Sequence, residues 1–255
     1  MDLELAGRRV LLSGGTKGIG RAIAEAFLAE GAHVAFCARN RDEVAAATGD
    51  LRGRFRQSNV HGFTVDVADA GALRAWVGAA QEQLGGIDIT VANVSALSVG
   101  GTEENWRTGY EVDLMGTVRL NEAAMPALER SDAASIVTVA SVSGREIDFA
   151  SGAYGSFKAA IIHYTQGLAF HLASKGIRAN SVSPGNTYFA GGIWNQIENQ
   201  NPKLFADALA LNPTGRMARP EEIAAGVVFL ASPKASFISG TNLVVDGALT
   251  RGVQL

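Results

Sequence analysis

The chain contains a single cysteine, Cys37, in 255 residues, which excludes an internal disulfide. It stands in the apolar run "HVAFCA", where it reads as a small buried hydrophobe and not as a reactive thiol. The four histidines, His33, His61, His163 and His171, fall at no metal-ligand spacing, so no metal is expected. Charge of one sign is missing too: 22 Lys and Arg are interspersed with 25 Asp and Glu, for a net charge of −3. Such a surface presents no basic stripe to a nucleic acid and no polybasic segment to a membrane. No apolar run approaches the roughly 18 residues of a membrane span. The opening "MDLELAGRRV" lacks the basic-then-apolar plan of a signal peptide. A cytoplasmic protein is expected.

What the chain does have is a regular alternation. Short apolar runs recur at 9–12, 33–38, 62–65, 88–93, 135–140, 177–182 and 242–245, with helix-period segments between them. Continuous apolar strands alternating with amphipathic helices imply a parallel sheet covered on both faces, a doubly wound α/β fold. The length suits one domain over 1–255. Residues 186–219 interrupt the alternation, late in the chain and where the carboxyl ends of the strands gather, which is where a substrate lid is expected.

The first strand runs into "SGGTKGIG", with four glycines between Ser13 and Gly20, and then into the helical pattern "RAIAEAFLAE". In a strand–loop–helix unit these glycines have separate uses. Gly14 permits the turn, Gly18 lets backbone approach a pyrophosphate, and Gly20 lets helix and sheet pack closely, while the helix N-terminus offers free N–H groups to the anion. The spacing is G-x3-G-x-G, a variant of the dinucleotide fingerprint. A second signal is "YGSFK", in which Tyr154 and Lys158 share a helix face at i, i+4. A cation about 5 Å from a phenolate favours it by about 3 kcal/mol at an effective dielectric near 20. Tyr and Lys fall four apart by chance in many helices, so context decides. Upstream, "SIVTVASVSG" is a strand ending in serines, with Ser141 thirteen residues before Tyr154. Its hydroxyl can stabilise a developing alkoxide.

Together these motifs resemble the short-chain dehydrogenase/reductases: "SGGTKGIG" is similar to their TGxxxGIG loop with Ser13 in place of Thr, and Ser141, Tyr154 and Lys158 match their catalytic positions. "SVSPGN", "RPEEIAAGVVFLAS" and "FISGTNLVVDGA" extend the resemblance over essentially the whole chain. It implies a seven-stranded parallel sheet and a nicotinamide cofactor. Gly14, Thr16, Gly18, Ile19 and Gly20 would hold the cofactor's pyrophosphate side, and Asp66 and Val67 its adenine. Asn93, Pro184, Gly185 and Thr187 would line the nicotinamide end, with Tyr154 and Lys158 beside them. After the second strand the chain reads "CARNR": Ala38 stands where NAD-preferring members carry Asp, Arg39 follows, and Lys17 lies in the glycine loop. The pattern resembles NADP(H)-preferring members; Arg39 alone would read as a solvated charge.

Two positions depart from the family. Its NNAG motif appears as "ANVS", keeping Asn93 and ending in Ser95, and its catalytic asparagine falls at Asp113 in "EVDLMG". That asparagine supports a water in a proton relay from the lysine, partly through its backbone carbonyl, and with Asp113 the relay is expected to be retained in altered form. An ionised aspartate accepts hydrogen bonds but cannot donate them, and its charge would favour the ammonium of Lys158. Ser95, Ser143, Tyr188 and Trp194 are the candidate substrate-pocket residues. The aromatics of the insert suggest an apolar, cyclic or long-chain substrate or, equally, packing of the lid on the core. The reading is an NADP(H)-dependent ketone reductase or secondary-alcohol dehydrogenase, resembling bacterial 3-oxoacyl-carrier-protein reductases, and by that resemblance a homotetramer. An acyl-carrier partner would need a basic entrance, and 186–205 contains only Lys203. A silent dinucleotide-binding redox sensor is the rival; the intact Ser141, Tyr154 and Lys158 argue against it.

Overall fold

Every residue of β4 (Ile89–Ala92) and of β5 (Ser135–Val139) is buried, so neither strand can have a wet face. Such strands belong in the middle of a sheet covered on both sides. In the computed structural model, which describes residues 1–252, they lie there. Outward on one side follow β1 (Arg9–Ser13), β2 (His33–Ala38) and β3 (Val60–Thr64); on the other follow β6 (Arg178–Pro184) and β7 (Asn242–Val245). The sheet has seven strands in the order β3-β2-β1-β4-β5-β6-β7, every pair parallel.

One face is covered by α1 (Gly18–Ala29), α2 (Arg41–Arg54) and α9 (Pro220–Ala231), which bury Phe27, Leu51 and Val227 in one core against the sheet. The other carries α3 (Ala70–Leu84), α5 (Gly116–Leu128) and α6 (Ala153–Leu172), with Trp76, Leu120 and Leu172 in its core. Cys37 is fully buried in that second core, and burial pushes its thiol up to about 12. It is a packing residue. None of the described helices is long and apolar enough to cross a membrane.

Strand boundaries shift by one or two residues from the apolar runs. β6 continues to Pro184 because Ser183 and Pro184 pair with Val244 and Val245 of β7, a neighbour that no local pattern announces. The interrupting segment folds into α7 (Ile193–Gln200) and α8 (Pro202–Ala210), with a small cluster of Trp194, Ala208 and Met217. It leaves and rejoins the body at one point, where Thr187 and Ala218 form an isolated parallel bridge. The helix before β5 is not uniform. A short α4 (Glu103–Gly109) passes into a π-helical turn, Tyr110–Met115, before α5 begins.

The strand order reverses between β1 and β4, which opens a crevice at their carboxyl ends. At their amino ends they are tied by a buried carboxylate. Asp88 Oδ2 and Oδ1 accept from Arg9 Nε and Nη2 at 2.8 and 2.6 Å, and Oδ1 also accepts from Ser131 Oγ at 2.6 Å. Burial works to raise the Asp88 pKa, but the hydrogen bonds from Arg9 and Ser131 outweigh it and hold the carboxyl below its usual range. A carboxyl depressed in this way adds stability that is complete above its unfolded value of about 3.9 and is lost as pH falls through the lower folded value. Asp88→Ala is expected to cost about 2 kcal/mol at neutral pH, below the usual range for breaking a buried pair because Arg9 can still reach water. Urea midpoints of the two proteins should stay apart from pH 8 to about 5 and converge below about 4. A separation that persists to the acid limit would show that the charge is not the source.

Candidate active site

The crevice is a cleft of about 910 Å³. Its floor at β1 is the loop from Gly14 to Gly20. Gly14 takes a φ of +78°, which a side chain rarely adopts, and a Cβ on Gly20 would lie 1.7 Å from the Gly14 carbonyl oxygen. The turn closes only with glycine at both places. Ser13 Oγ accepts from the N–H groups of Asn93 (3.0 Å) and Val94 (3.3 Å), and Asn93 Nδ2 donates to the carbonyls of Ser13 (3.2 Å) and Gly14 (3.0 Å). The serine thus clamps the loop to the end of β4. No side chain caps α1, and no acid stands in its first turn, so its N-terminal N–H groups and positive dipole end face the cleft. These features fit a pyrophosphate.

The opposite wall is built by β5 and α6. Ser141 ends the strand segment and caps the 3₁₀ turn Val142–Gly144, its Oγ accepting from Ser143 N–H at 3.2 Å. Tyr154 opens α6. A Cβ on Gly155 would stand 2.7 Å from the Ser143 carbonyl oxygen, so glycine lets the serine turn press against the helix start. One turn on, Lys158 is 2% exposed, with Nζ 5.6 Å from the Tyr154 ring centroid.

Lys158 Nζ donates to the Val139 carbonyl at 3.2 Å and lies 3.2 Å from Asp113 Oδ1. The approach to Oδ1 is off the hydrogen-bonding direction, so this contact is an ion pair without a directed hydrogen bond. Asp113 is itself 2% exposed, and its Oδ2 accepts from Ala96 N–H at 3.0 Å. It sits within the π-helical turn, a widening frequent at functional sites. A gap of 3.2 Å leaves no room for water between these two atoms. The Asp113 side chain therefore meets the ammonium directly.

Of the residues that the sequence nominates, Gly18, Asp113 and Tyr188 do not line the cleft and all the others do. Asp113 lies behind Lys158. Gly18 is covered by Phe189, whose Cζ would be 2.4 Å from a Cβ placed there. Tyr188 turns away into the insert, where its hydroxyl donates to Glu198 Oε2 at 2.5 Å and accepts from Asn195 Nδ2 at 2.9 Å. It packs edge-on against Phe205 and is not a pocket residue. Phe189, one of the insert aromatics, does line the cleft, and the structure adds lining residues absent from the sequence reading, chief among them Glu43 and Asp148. Glu43 is in the first turn of α2, where its Oε1 lies 3.5 Å from Lys17 Nζ and its Oε2 accepts from Thr16 Oγ1 at 3.2 Å. Its place four residues after Arg39, at the start of a helix, was the available signal.

A sheet that reverses at a glycine loop, with hydroxyl, phenol and ammonium gathered beside it, describes a nicotinamide-dependent oxidoreductase. Residues 14–250 match the family described as enoyl-(acyl carrier protein) reductase. The chain belongs to the short-chain dehydrogenase/reductases and is a dehydrogenase/reductase acting on CH–OH groups. It is 40% identical over 254 residues to isoepoxydon dehydrogenase of Penicillium expansum, covering 98% of this chain and 97% of that one. It is 31% identical over 251 residues to a 3-oxoacyl-[acyl-carrier-protein] reductase of Vibrio harveyi, covering 97% and 99%. Among solved structures it is similar to L-sorbose reductase from Gluconobacter frateurii complexed with NADPH and L-sorbose, with TM-score 0.91, 29% identity and coverage of 99% and 100%.

Proposed function

We propose that the protein is an NADP(H)-dependent enzyme that interconverts a ketone and a secondary alcohol, with 1–255 acting as one nucleotide-binding domain and 186–219 as its substrate lid. The observation that carries this reading is the shared cleft: Ser141, Tyr154 and Lys158 face the same space as the glycine loop. The nicotinamide supplies or takes the hydride. Ser141 keeps its hydroxyl proton free to donate to the carbonyl oxygen, because its own oxygen takes the Ser143 N–H. Tyr154 gives the proton to the nascent alkoxide. Lys158, beside the ring, supplies positive charge to the phenol and a donor to the cofactor ribose.

Asp113 holds that ammonium in place. Gly14, Thr16, Ile19 and Gly20 hold the pyrophosphate side, Asp66 and Val67 the adenine, and Asn93, Pro184, Gly185 and Thr187 the nicotinamide end, all of them lining the cleft, whereas Gly18 lies under Phe189. The silent-sensor reading has no observation of its own in its favour. Carrier docking has little more: Lys203, the lone cation of 186–205, is paired with Asp207 at 2.8 Å.

Tyr154→Phe removes the proton donor and leaves the ring and Lys158, so turnover is expected to fall about 10²–10⁴-fold with dinucleotide affinity retained. Asp113→Asn in parallel reads the acid: activity should persist with a shifted pH profile if Asp113 only holds Lys158, and should collapse if it moves protons itself. Turnover at the wild-type rate in Tyr154→Phe would overturn the mechanism.

NADP(H) preference is supported by Lys17 and Arg39 at the adenosine end of the cleft and by the absence of an acid at Ala38. Glu43 opposes it, since its carboxylate sits against Lys17. Titration should show NADPH binding more tightly than NADH. Arg39→Asp should move the preference toward NADH, and Glu43→Gln should tighten NADP⁺ by about threefold, the scale of an exposed ion pair. Equal or tighter NADH binding in the wild type would sink the reading.

We further propose a homotetramer. Trp106 and Tyr110 are exposed around Phe157 of α6, and Phe170 and Phe237 stand out elsewhere on the surface. Apolar groups displayed in this way mark contact surfaces. The tail 247–255, which from sequence could reach a neighbour, lies partly outside the described residues. Light scattering is expected to give about four times the 26.6 kDa chain mass, and a one-chain mass at micromolar concentration would refute assembly.

A further inference from the structure

We infer that the cleft selects ketones that carry a hydroxyl on the first or second carbon from the carbonyl, and the corresponding diols, through Ser143 held as an acceptor by Asp148; the inference rests on the ketone–alcohol reading above. A single turn of chain sets which protons are free. Ser143 Oγ donates to Asp148 Oδ2 at 2.6 Å. The carboxylate is pinned from its other side, where Oδ1 accepts from Ala150 N–H at 2.8 Å. An ionised carboxylate only accepts, so the one hydroxyl proton of Ser143 is used. What Ser143 turns to the cleft is its lone pairs, and no donor among the described residues takes them.

Ser141, two residues earlier and joined to Ser143 by the 3.2 Å bond from its N–H, is in the opposite state: its oxygen accepts from the backbone and its proton is free. The turn Val142–Gly144 therefore presents a donor and an acceptor side by side. A simple ketone satisfies the donor and leaves the acceptor bare, while a hydroxyketone satisfies both. An acceptor desolvated without a partner is penalised, and sites built to bind a substrate hydroxyl discriminate against analogues lacking it. Val142, Phe149 and Trp194 add apolar surface to the same cleft, Phe149 packing edge-on against Trp194 with ring centroids 5.7 Å apart. Asp148 is a positioning residue, acting through Ser143.

The test compares acetoin with butanone, and hydroxyacetone with acetone, as substrates of the full-length protein with NADPH. The hydroxyketone should be favoured by about tenfold in kcat/KM, the scale of one net hydrogen bond. Ser143→Ala should bring that ratio to within about threefold, mainly by raising KM for the hydroxyketone. Asp148→Ala, which releases the Ser143 proton to face the cleft, should do the same. Asp148→Asn, whose amide oxygen can still accept that proton, should keep more of the ratio. A ratio near one in the wild type, or one that survives Ser143→Ala with only thermal stability reduced, overturns the inference and leaves the ketone–alcohol reading standing. If neither ketone turns over with either cofactor, it is that broader reading that fails; calorimetric titration of acetoin and butanone then decides the selection itself, equal affinities overturning it.

Discussion

The buried ammonium of Lys158 is the constraint on which the rest of the site depends. An ammonium taken out of water without compensation costs several kcal/mol, and removing one partner of a buried pair leaves that cost exposed. Two elements that are distant from it in sequence supply the compensation. Asp113 comes from the π-helical turn between α4 and α5, and the Val139 carbonyl from β5; α6 carries the lysine itself. Each must be in register for the charge to be tolerated, so the ion pair also fixes where Tyr154 and Ser141 stand. The π-helical turn makes sense on these terms: the wider turn contains a buried carboxylate whose Oδ1 lies 3.2 Å from the ammonium, and Thr117 Oγ1 donates to the Asp113 carbonyl at 2.7 Å to hold it.

The same logic of close approach runs through the other half of the cleft. The glycine loop can turn back on itself because Gly20 and Gly14 have no side chains to collide, and Ser13 with Asn93 ties it to the neighbouring strand end. The result is a rigid seat for an anion at an uncapped helix N-terminus. Against this rigid floor the insert brings one aromatic ring, Phe189, onto Gly18. Floor and insert therefore meet on the glycine loop, and the segment that would cover the substrate also touches the part that would hold the dinucleotide.

At both ends of the cleft a carboxylate already engages the polar groups beside it. At the adenosine end, Glu43 occupies Lys17 and Thr16, leaving Arg39 as the cation nearest to free. At the substrate end, Asp148 occupies the Ser143 hydroxyl. In both places a carboxylate that does not stand at a motif position changes what a motif residue can offer. Lists of site residues by type miss this, because a serine that donates and a serine that accepts are the same letter.

Alternation of apolar runs with helical segments made the parallel sheet legible, because strands buried on both faces leave no polar positions to read. The glycine spacing, Ser141 and the Tyr154–Lys158 pair were legible for a similar reason: each depends on backbone sterics or on neighbours within one turn, and such constraints are written in adjacent residues. Tyr188 shows where local reading fails. An aromatic in a lid can face either the cleft or the lid's own core, and the partners that turned it, Glu198 and Asn195, lie beyond its own turn of chain. The end of β6 depended on β7, some sixty residues away. By itself, then, the sequence determined the fold class and the glycine loop, and it picked out Ser141, Tyr154 and Lys158, which line the same cleft. Only the tertiary structure decided that Asp113 touches Lys158, that Glu43 faces Lys17 and that Asp148 takes the Ser143 proton. Contacts between charges depend on distances in space, and distances across a fold are set by packing, not by spacing along the chain.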